Sequence, residues 1–269
     1  MDSVTSKTDT AFADVASDFP AGTFAPQPRQ ASGWHMALAQ GRVEAKLMLR
    51  HGEQLLLSVI IPLALLIGAA KLPMLADVAG IQQIFPMVLA VAATSAGFTG
   101  EAISLAFDRR YSALKRTGAS GVPTWTIVAG KVIGVATMVA VQVVLLTAAA
   151  YALGFRASVP GLAMGAVTLL VGVAAFTALG LLLGGTLPAE VVLAVANLIW
   201  FILLGAVGWV MYSHGLGHNG FFNVVPTVAL AGGFDEAFSG IVPWGPLLSL
   251  IAWALIASAA AVKWFRFEA

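Results

Sequence analysis

VPGLAMGAVTLLVGVAAFTALGLLLGGTLPAEVVLAVANLIWFILLGAVGWVMY, residues 159–212, carries one charged side chain, Glu190, and turns at Thr186-Leu-Pro-Ala-Glu190. Each half exceeds the roughly 20 apolar residues that a helix needs to cross about 30 Å of hydrocarbon. Pro188 suits the first turn of a helix, where its missing N–H costs nothing. Glu190 suits the positive end of the helix dipole. The stretch reads as two membrane-crossing helices joined by a tight turn. A β-barrel would need short alternating strands, and the sequence has none.

The same pattern recurs outward along the chain. Six spans are predicted, at about 54–70, 81–106, 126–153, 159–187, 189–212 and 244–265. The 269 residues are 59% hydrophobic and 10% charged, with a mean hydropathy of +0.91. A soluble domain carries about 25% charged residues. The fold class is therefore an all-α polytopic membrane protein with six transmembrane helices. The absence of cysteine excludes disulfides, thiolate metal sites and cysteine nucleophiles. A net charge of +1 suggests no nucleic-acid partner. His214 and His218 lie four apart in a Gly-rich stretch and read as solvated loop histidines, so no metal site is expected.

Residues 1–32 are rich in Ser, Thr, Asp and Pro and lack an apolar run, which predicts a disordered cytoplasmic tail. They lack the charged and apolar regions of a signal peptide. Residues 33–52 read as an amphipathic elbow helix lying on the membrane. Trp34, Ala37, Leu38, Ala45, Met48 and Leu49 form one stripe, with Arg42, Lys46 and Arg50 on a flank. Lys/Arg counts set the orientation. Arg29, Arg42, Lys46, Arg50, Arg109, Arg110, Lys115, Arg116, Lys131, Lys263 and Arg266 fall on one side, against Lys71 and Arg156 on the other. Both termini are then cytoplasmic. The outer loop, 213–243, contains Phe221–Leu230, apolar enough for a short external re-entrant helical segment that Gly232-Gly233 would break.

Between the second and third spans, FDRRYSALKRTGASGVPTWTIVAGK, residues 107–131, holds five of the fourteen Lys/Arg residues. No Walker sequence, H-E-x-x-H motif, Gly-x-Ser-x-Gly elbow or paired carboxylate accompanies it, so the chain is not read as an enzyme. Polar groups inside the spans include Thr94, Ser95, Thr99, Glu101, Gln142, Thr147 and Asn197. Glu101 is the one ionisable candidate for a relay, with local pairing to Arg109 or Arg110 as the plainer expectation. Gln142 and Asn197 suit interhelical hydrogen bonds or a substrate path, and Gly130/Gly134, Gly161/Gly165 and Gly180/Gly184 suit close helix packing. With no visible energy source of its own, the chain is passive or is powered by another subunit. A passive channel or ion-coupled carrier, and a non-transporting membrane scaffold, stay open on these residues.

Asp108-Arg109-Arg110, Ser112-Ala113-Leu114, Lys115-Arg116-Thr117, Trp125 and Gly130-Lys131 resemble, in order, the cytoplasmic segment of ABC-2 type permeases, the membrane subunits of ATP-binding-cassette exporters. Arg42-Val-Glu44 and Leu49-Arg50 are similar to the elbow helix of that family, and Val225-Pro226-Thr227 to the start of its short outer helix. The chain departs from the pattern at Thr117-Gly118, where Thr-Pro is common, and at Arg110-Tyr111, where an acidic residue is usual. The resemblance implies an ABC-2 type transmembrane domain over 33–269 in a prokaryotic plasma (inner) membrane. It further implies a cytoplasmic coupling helix at Asp108–Thr117, whose Asp108, Arg109, Arg110, Tyr111, Ser112, Leu114, Lys115 and Arg116 meet an ATPase subunit. That partner would bind ATP and Mg, and this chain would bind no cofactor. A second permease subunit, identical or paralogous, would complete a path at the interface lined by Thr94, Ser95 and Asn197. The implied substrate is hydrophobic or amphiphilic: a drug, lipid or polysaccharide precursor.

Overall fold

The computed structural model describes residues 31–50, 52–71, 80–112, 121–217 and 220–264, which are helical apart from short connections. Its helices are α1 (Gly33–Arg50), α2 (Gly52–Lys71), α3 (Ile81–Thr94), α4 (Glu101–Arg110), α5 (Thr124–Ala152), α6 (Val159–Thr186), α7 (Ala189–His214), α8 (Pro226–Phe238) and α9 (Trp244–Trp264). A π-helical turn, Ser95–Gly100, joins α3 to α4, and a 3₁₀ turn, Gly220–Val224, precedes α8. The expected tail at 1–32 lies outside the described residues up to position 30, as does His218.

Five of the described helices are long and apolar enough to cross a membrane: Ile81–Arg110, Trp125–Ala152, Val159–Thr186, Ala189–His214 and Trp244–Trp264. The helix at the first predicted span, α2, runs for 20 residues, with a shorter apolar part at Ser58–Lys71. The second span continues to Arg110, four residues beyond the predicted end at 106.

α3 is the centre of the bundle. Every residue from Ile84 to Thr94 is buried, and α2, α5, α6, α7 and α8 all pack on it. α6 supplies a second seam, with Gly161, Gly165, Thr168, Gly172, Phe176, Gly180 and Gly184 buried at helical spacing along one face. A Cβ on Gly180 would lie 2.8 Å from the carbonyl oxygens of Gly97 and Phe98, and one on Gly184 would lie 2.4 Å from that of Ala102. Backbones this close require glycine.

The N-terminal end of the same seam receives α8. Leu230 fills the space over Gly172, and the Phe238 ring covers Gly165. α8 is buried from Pro226 to Phe234, so the apolar outer segment is a helix covered by protein, the condition under which backbone is tolerated at membrane depth. Gly232-Gly233 does not break it. Gly233 instead admits Thr168 Cγ2 and Pro246 Cβ, and α8 runs on to Phe238.

α1, where the elbow helix is expected, packs on α5. Gly130 of α5 lies against Gln40 and Gly41, and Gly134 lies against Glu44 and Ala45. One turn of α1 thus matches one turn of α5, and the two helices run side by side in the same direction. The expected stripe is also split. Ala37 and Gly41 are buried and Ala45 and Met48 half-buried, whereas Trp34, Leu38 and Leu49 are exposed. The small residues Gly41, Gly130 and Gly134 allow the closest backbone approach, and that approach fixes which face of α1 turns inward.

Gly184→Ala is expected to destabilise the protein by about 1–3 kcal/mol, because its new methyl meets backbone that cannot step aside. Gly68→Ala in α2 has open space around its Cβ and is expected within about 0.5 kcal/mol of the parent. Thermal midpoints of the two detergent-solubilised variants measure the difference.

Candidate functional site

The sites where charge enters the apolar bundle converge on α4. Lys131, two turns into α5, is 1% exposed. Its Nζ lies 2.9 Å from Asp108 Oδ2, 3.4 Å from Glu101 Oε1 and 3.8 Å from Glu44 Oε1. Glu101 and Asp108 are seven residues apart, two turns of one helix face, with buried Leu105 between them. Glu44 arrives from α1, held by the turn-for-turn packing of that helix on α5, and accepts a hydrogen bond from Gln40 Nε2 at 3.0 Å. Glu101 is fully buried, and neither of its oxygens accepts a hydrogen bond. The Lys131 ammonium is its counter-charge. Glu101 was expected to pair with Arg109 or Arg110, but those residues lie on other faces of α4 and have other partners.

Arg109 is 4% exposed and donates from Nη1 to the Gly184 and Leu187 carbonyls at 2.8 and 3.0 Å. It closes the carbonyl end of α6, where a cation also complements the helix dipole. Arg110 pairs with Glu190 in the first turn of α7. Asp108 and Glu101 thus tie α4 to α5, which Glu44 ties to α1 through the same lysine, while Arg109 and Arg110 tie α4 to the α6–α7 turn.

This arrangement corrects the expected coupling helix. A single helix over Asp108–Thr117 does not form in its first half, because Asp108–Arg110 are the last turn of the second span. Tyr111 leaves the helix, and Ser112 takes a left-handed conformation at φ 57°. Arg109 is turned inward and offers no surface to a partner. Tyr111 is 64% exposed and Ser112 is also exposed. Leu114, Lys115 and Arg116 lie outside the described residues.

The three expected path residues occupy different surroundings. Thr94 is buried, donates to the Ala90 carbonyl at 2.7 Å and lies 3.4 Å from the Thr227 hydroxyl of α8. Ser95 is half-buried at the start of the π turn. Asn197 is exposed on α7 and donates to the Leu193 carbonyl of its own helix at 2.7 Å. An open groove of about 390 Å³ lies elsewhere, lined by Phe221, Asn223, Val224, Ser249 and Trp253 among others. Gln142 makes the interhelical bond its position suggested, donating to the Ser58 carbonyl of α2 at 2.9 Å. His214 ends α7, its Nδ1 2.6 Å from the Ser213 hydroxyl. No group of His, Asp and Glu able to hold a metal occurs among the described residues.

The Glu44–Lys131–Glu101–Asp108 constellation was not assembled from sequence. Lys131 had been counted as a topology-setting charge, yet a lysine flanked by Gly130 and Gly134 inside an apolar helix needs a buried carboxylate. Glu101 was the carboxylate inside the predicted second span, 81–106.

Lys131→Met leaves three carboxylates together and is expected to cost roughly 3–5 kcal/mol, the usual penalty for removing one partner of a buried pair. Adding Glu101→Gln to Lys131→Met removes the most buried negative charge and is expected to recover part of that loss. Thermal midpoints of the single and double variants check the coupling; additive losses would show that the two groups act independently.

A family model described as ABC-2 type transporter matches residues 39–228, from α1 through the first turn of α8 and including all four members of the charge cluster. No curated protein sequence matches the chain. With well over half of its length inside that match, and with a multi-pass helical bundle around it, the protein belongs to the ABC-2 type transporter family as a permease component.

Proposed function

We propose that the chain is one of two permease subunits, identical or paralogous, of an ATP-driven exporter in a prokaryotic plasma membrane. Both termini and the α4–α5 connection face the cytoplasm. A separate ATP-binding-cassette subunit, carrying ATP and Mg, docks at the exposed end of α4 and the residues after it, with Leu114 at the centre of the contact. The substrate is hydrophobic or amphiphilic (a drug, lipid or polysaccharide precursor) and moves outward between the two subunits.

The observation that carries this reading is the convergence on α4, inside the stretch that matches the family. The connection from α4 to α5 leaves a helix end that is tied by ion pairs and hydrogen bonds to α5, α6 and α7, and through Lys131 to α1. A push on that connection is delivered to four helices at once. Tyr111 and Ser112, exposed at its start, are assigned to the docking surface together with Lys115 and Arg116. Asp108, Arg109 and Arg110 position the surface from behind. Asn197, outward-facing on α7, and Ser95 are assigned to the path between subunits, and Thr94 to holding α8 in place. An ion-coupled carrier is less well supported, because Glu101 is enclosed beside Lys131 instead of facing an opening.

Leu114→Asp, reconstituted with the co-purifying ATPase, is expected to lower ATP-dependent efflux by an order of magnitude or more while membrane insertion is unchanged. That figure corresponds to about 1.4 kcal/mol or more of lost coupling. Efflux that persists without ATP, or an ATPase association indifferent to the sequence of 111–117, overturns the reading.

A further inference from the structure

The positive charges of this chain are used in two different ways. Arg109, Arg110 and Lys131, at the base of α4 and α5, are all engaged by groups of the chain itself. Arg42, Lys46 and Arg50 of α1 are exposed, and none of the three has a partner among the described residues. At 100° per residue they form one row on the side of α1 opposite Ala37, Gly41 and Glu44, the face packed on α5. Exposed apolar side chains border the row on both sides: Trp34, Leu38 and Leu49 along one edge, Val43 and Leu47 along the other.

We propose that this row is a binding surface for anionic phospholipid headgroups, with the phosphates held by Arg42, Lys46 and Arg50 and the acyl chains lying on the two apolar borders. Charge complementarity selects an anion. The borders select a lipid over a soluble acidic protein, because α1 stands alongside α5, a membrane-crossing helix, and its apolar edges need an apolar medium. Side chains on a helix lean towards its N-terminus, so the three cationic heads lean towards the Trp34 end. There Trp34 meets Trp125 edge to face at 5.6 Å, and both rings are exposed. Paired exposed tryptophans are the residues that settle at headgroup level. Arg42 is the cation nearest that aromatic pair, about 12 Å from Trp34 along the helix axis. Opposite it, Glu44 on the packed face reaches Lys131, so a bound headgroup sits one helix diameter from the buried charge cluster. The inference requires only that the chain be embedded in a membrane, and stands apart from the export reading.

The test uses the full chain purified in a non-ionic detergent and titrated with phosphatidylglycerol or phosphatidylcholine, bound lipid being counted by native mass spectrometry. The parent is expected to bind phosphatidylglycerol preferentially, and raising the salt should weaken that binding without affecting phosphatidylcholine. Each cation near a membrane surface contributes roughly a factor of five. The Arg42→Gln/Lys46→Gln/Arg50→Gln variant should therefore lose on the order of a hundredfold in phosphatidylglycerol affinity at low salt. Arg42→Lys/Arg50→Lys should retain most of it. Phosphatidylglycerol binding that ignores both salt and the glutamine variant overturns the proposal. So does a glutamine variant that keeps its lipid but loses an ATPase partner, an outcome that would assign the row to a protein contact.

Discussion

An ammonium group shut away from water has to be met by carboxylates, and Lys131 imposes that requirement on the whole base of the bundle. Its partners come from two other helices, Glu44 from α1 and Glu101 and Asp108 from α4. For all three to reach one nitrogen, the rotation of α1, the register of α4 and the depth of α5 must be set together. Buried ion pairs add little net stability, because desolvation offsets much of the attraction. What such a group supplies here is geometry: a misplaced helix would leave a charge buried without a partner.

Charge and packing cooperate in this arrangement. Gly130 and Gly134 flank Lys131 and let α1 approach α5 closely enough for Glu44 to reach it. On the other side, Gly180 and Gly184 bring α6 onto the backbone of the π turn and α4, so that Arg109 can reach the Gly184 and Leu187 carbonyls. Glycine pairs that would be neutral spacers in a lipid-facing helix become the means by which long cationic side chains find their acceptors. The opposite half of the bundle follows the same rule without charge, where Leu230 and Phe238 of α8 fill the space left by Gly172 and Gly165.

Much of this fold was legible in the sequence. Long apolar runs with tight breaks placed five of the spans to within four residues at either end, and Pro188 and Glu190 marked the α6–α7 turn, because hydrophobic length and helix-end chemistry are local properties. The buried outer helix was anticipated from its apolar character, but its extent was misjudged at Gly232-Gly233. A glycine pair can break a helix or admit a neighbour, and the choice is made by Thr168 and Pro246, distant in sequence. The face of α1 that packs on α5 was not legible for a similar reason. Periodicity alone favours the most apolar stripe, through Trp34 and Leu38, whereas Gly41 against Ile133 decides the packing. The charge cluster was the least legible feature, since it joins three segments separated by up to 87 residues (Glu44 to Lys131). Basic residues 107–131 looked like one surface, yet three of the five turn inward or pair within the chain.

The second span is consequently divided into two mechanical parts. Its first part, α3, is enclosed on all sides and faces α8 through Thr94 and Thr227. Its second part, α4, is clipped to α5, α6 and α7 by side-chain contacts that run across the bundle, and through Lys131 to α1. Between them lies the π turn, a geometry with poorer hydrogen bonding than an α-helix and one that recurs at functional sites. Buried beside that turn, the Thr99 and Thr177 hydroxyls have no hydrogen-bond partner, so the region is held by backbone contact with Gly180 more than by polar interactions. In the proposed exporter, a load applied after Tyr111 meets a rigid clip first and this irregular turn next. The turn is therefore where α4 can change its angle to α3 with the least disturbance, carrying α1, α5 and the α6–α7 turn while α3 stays packed.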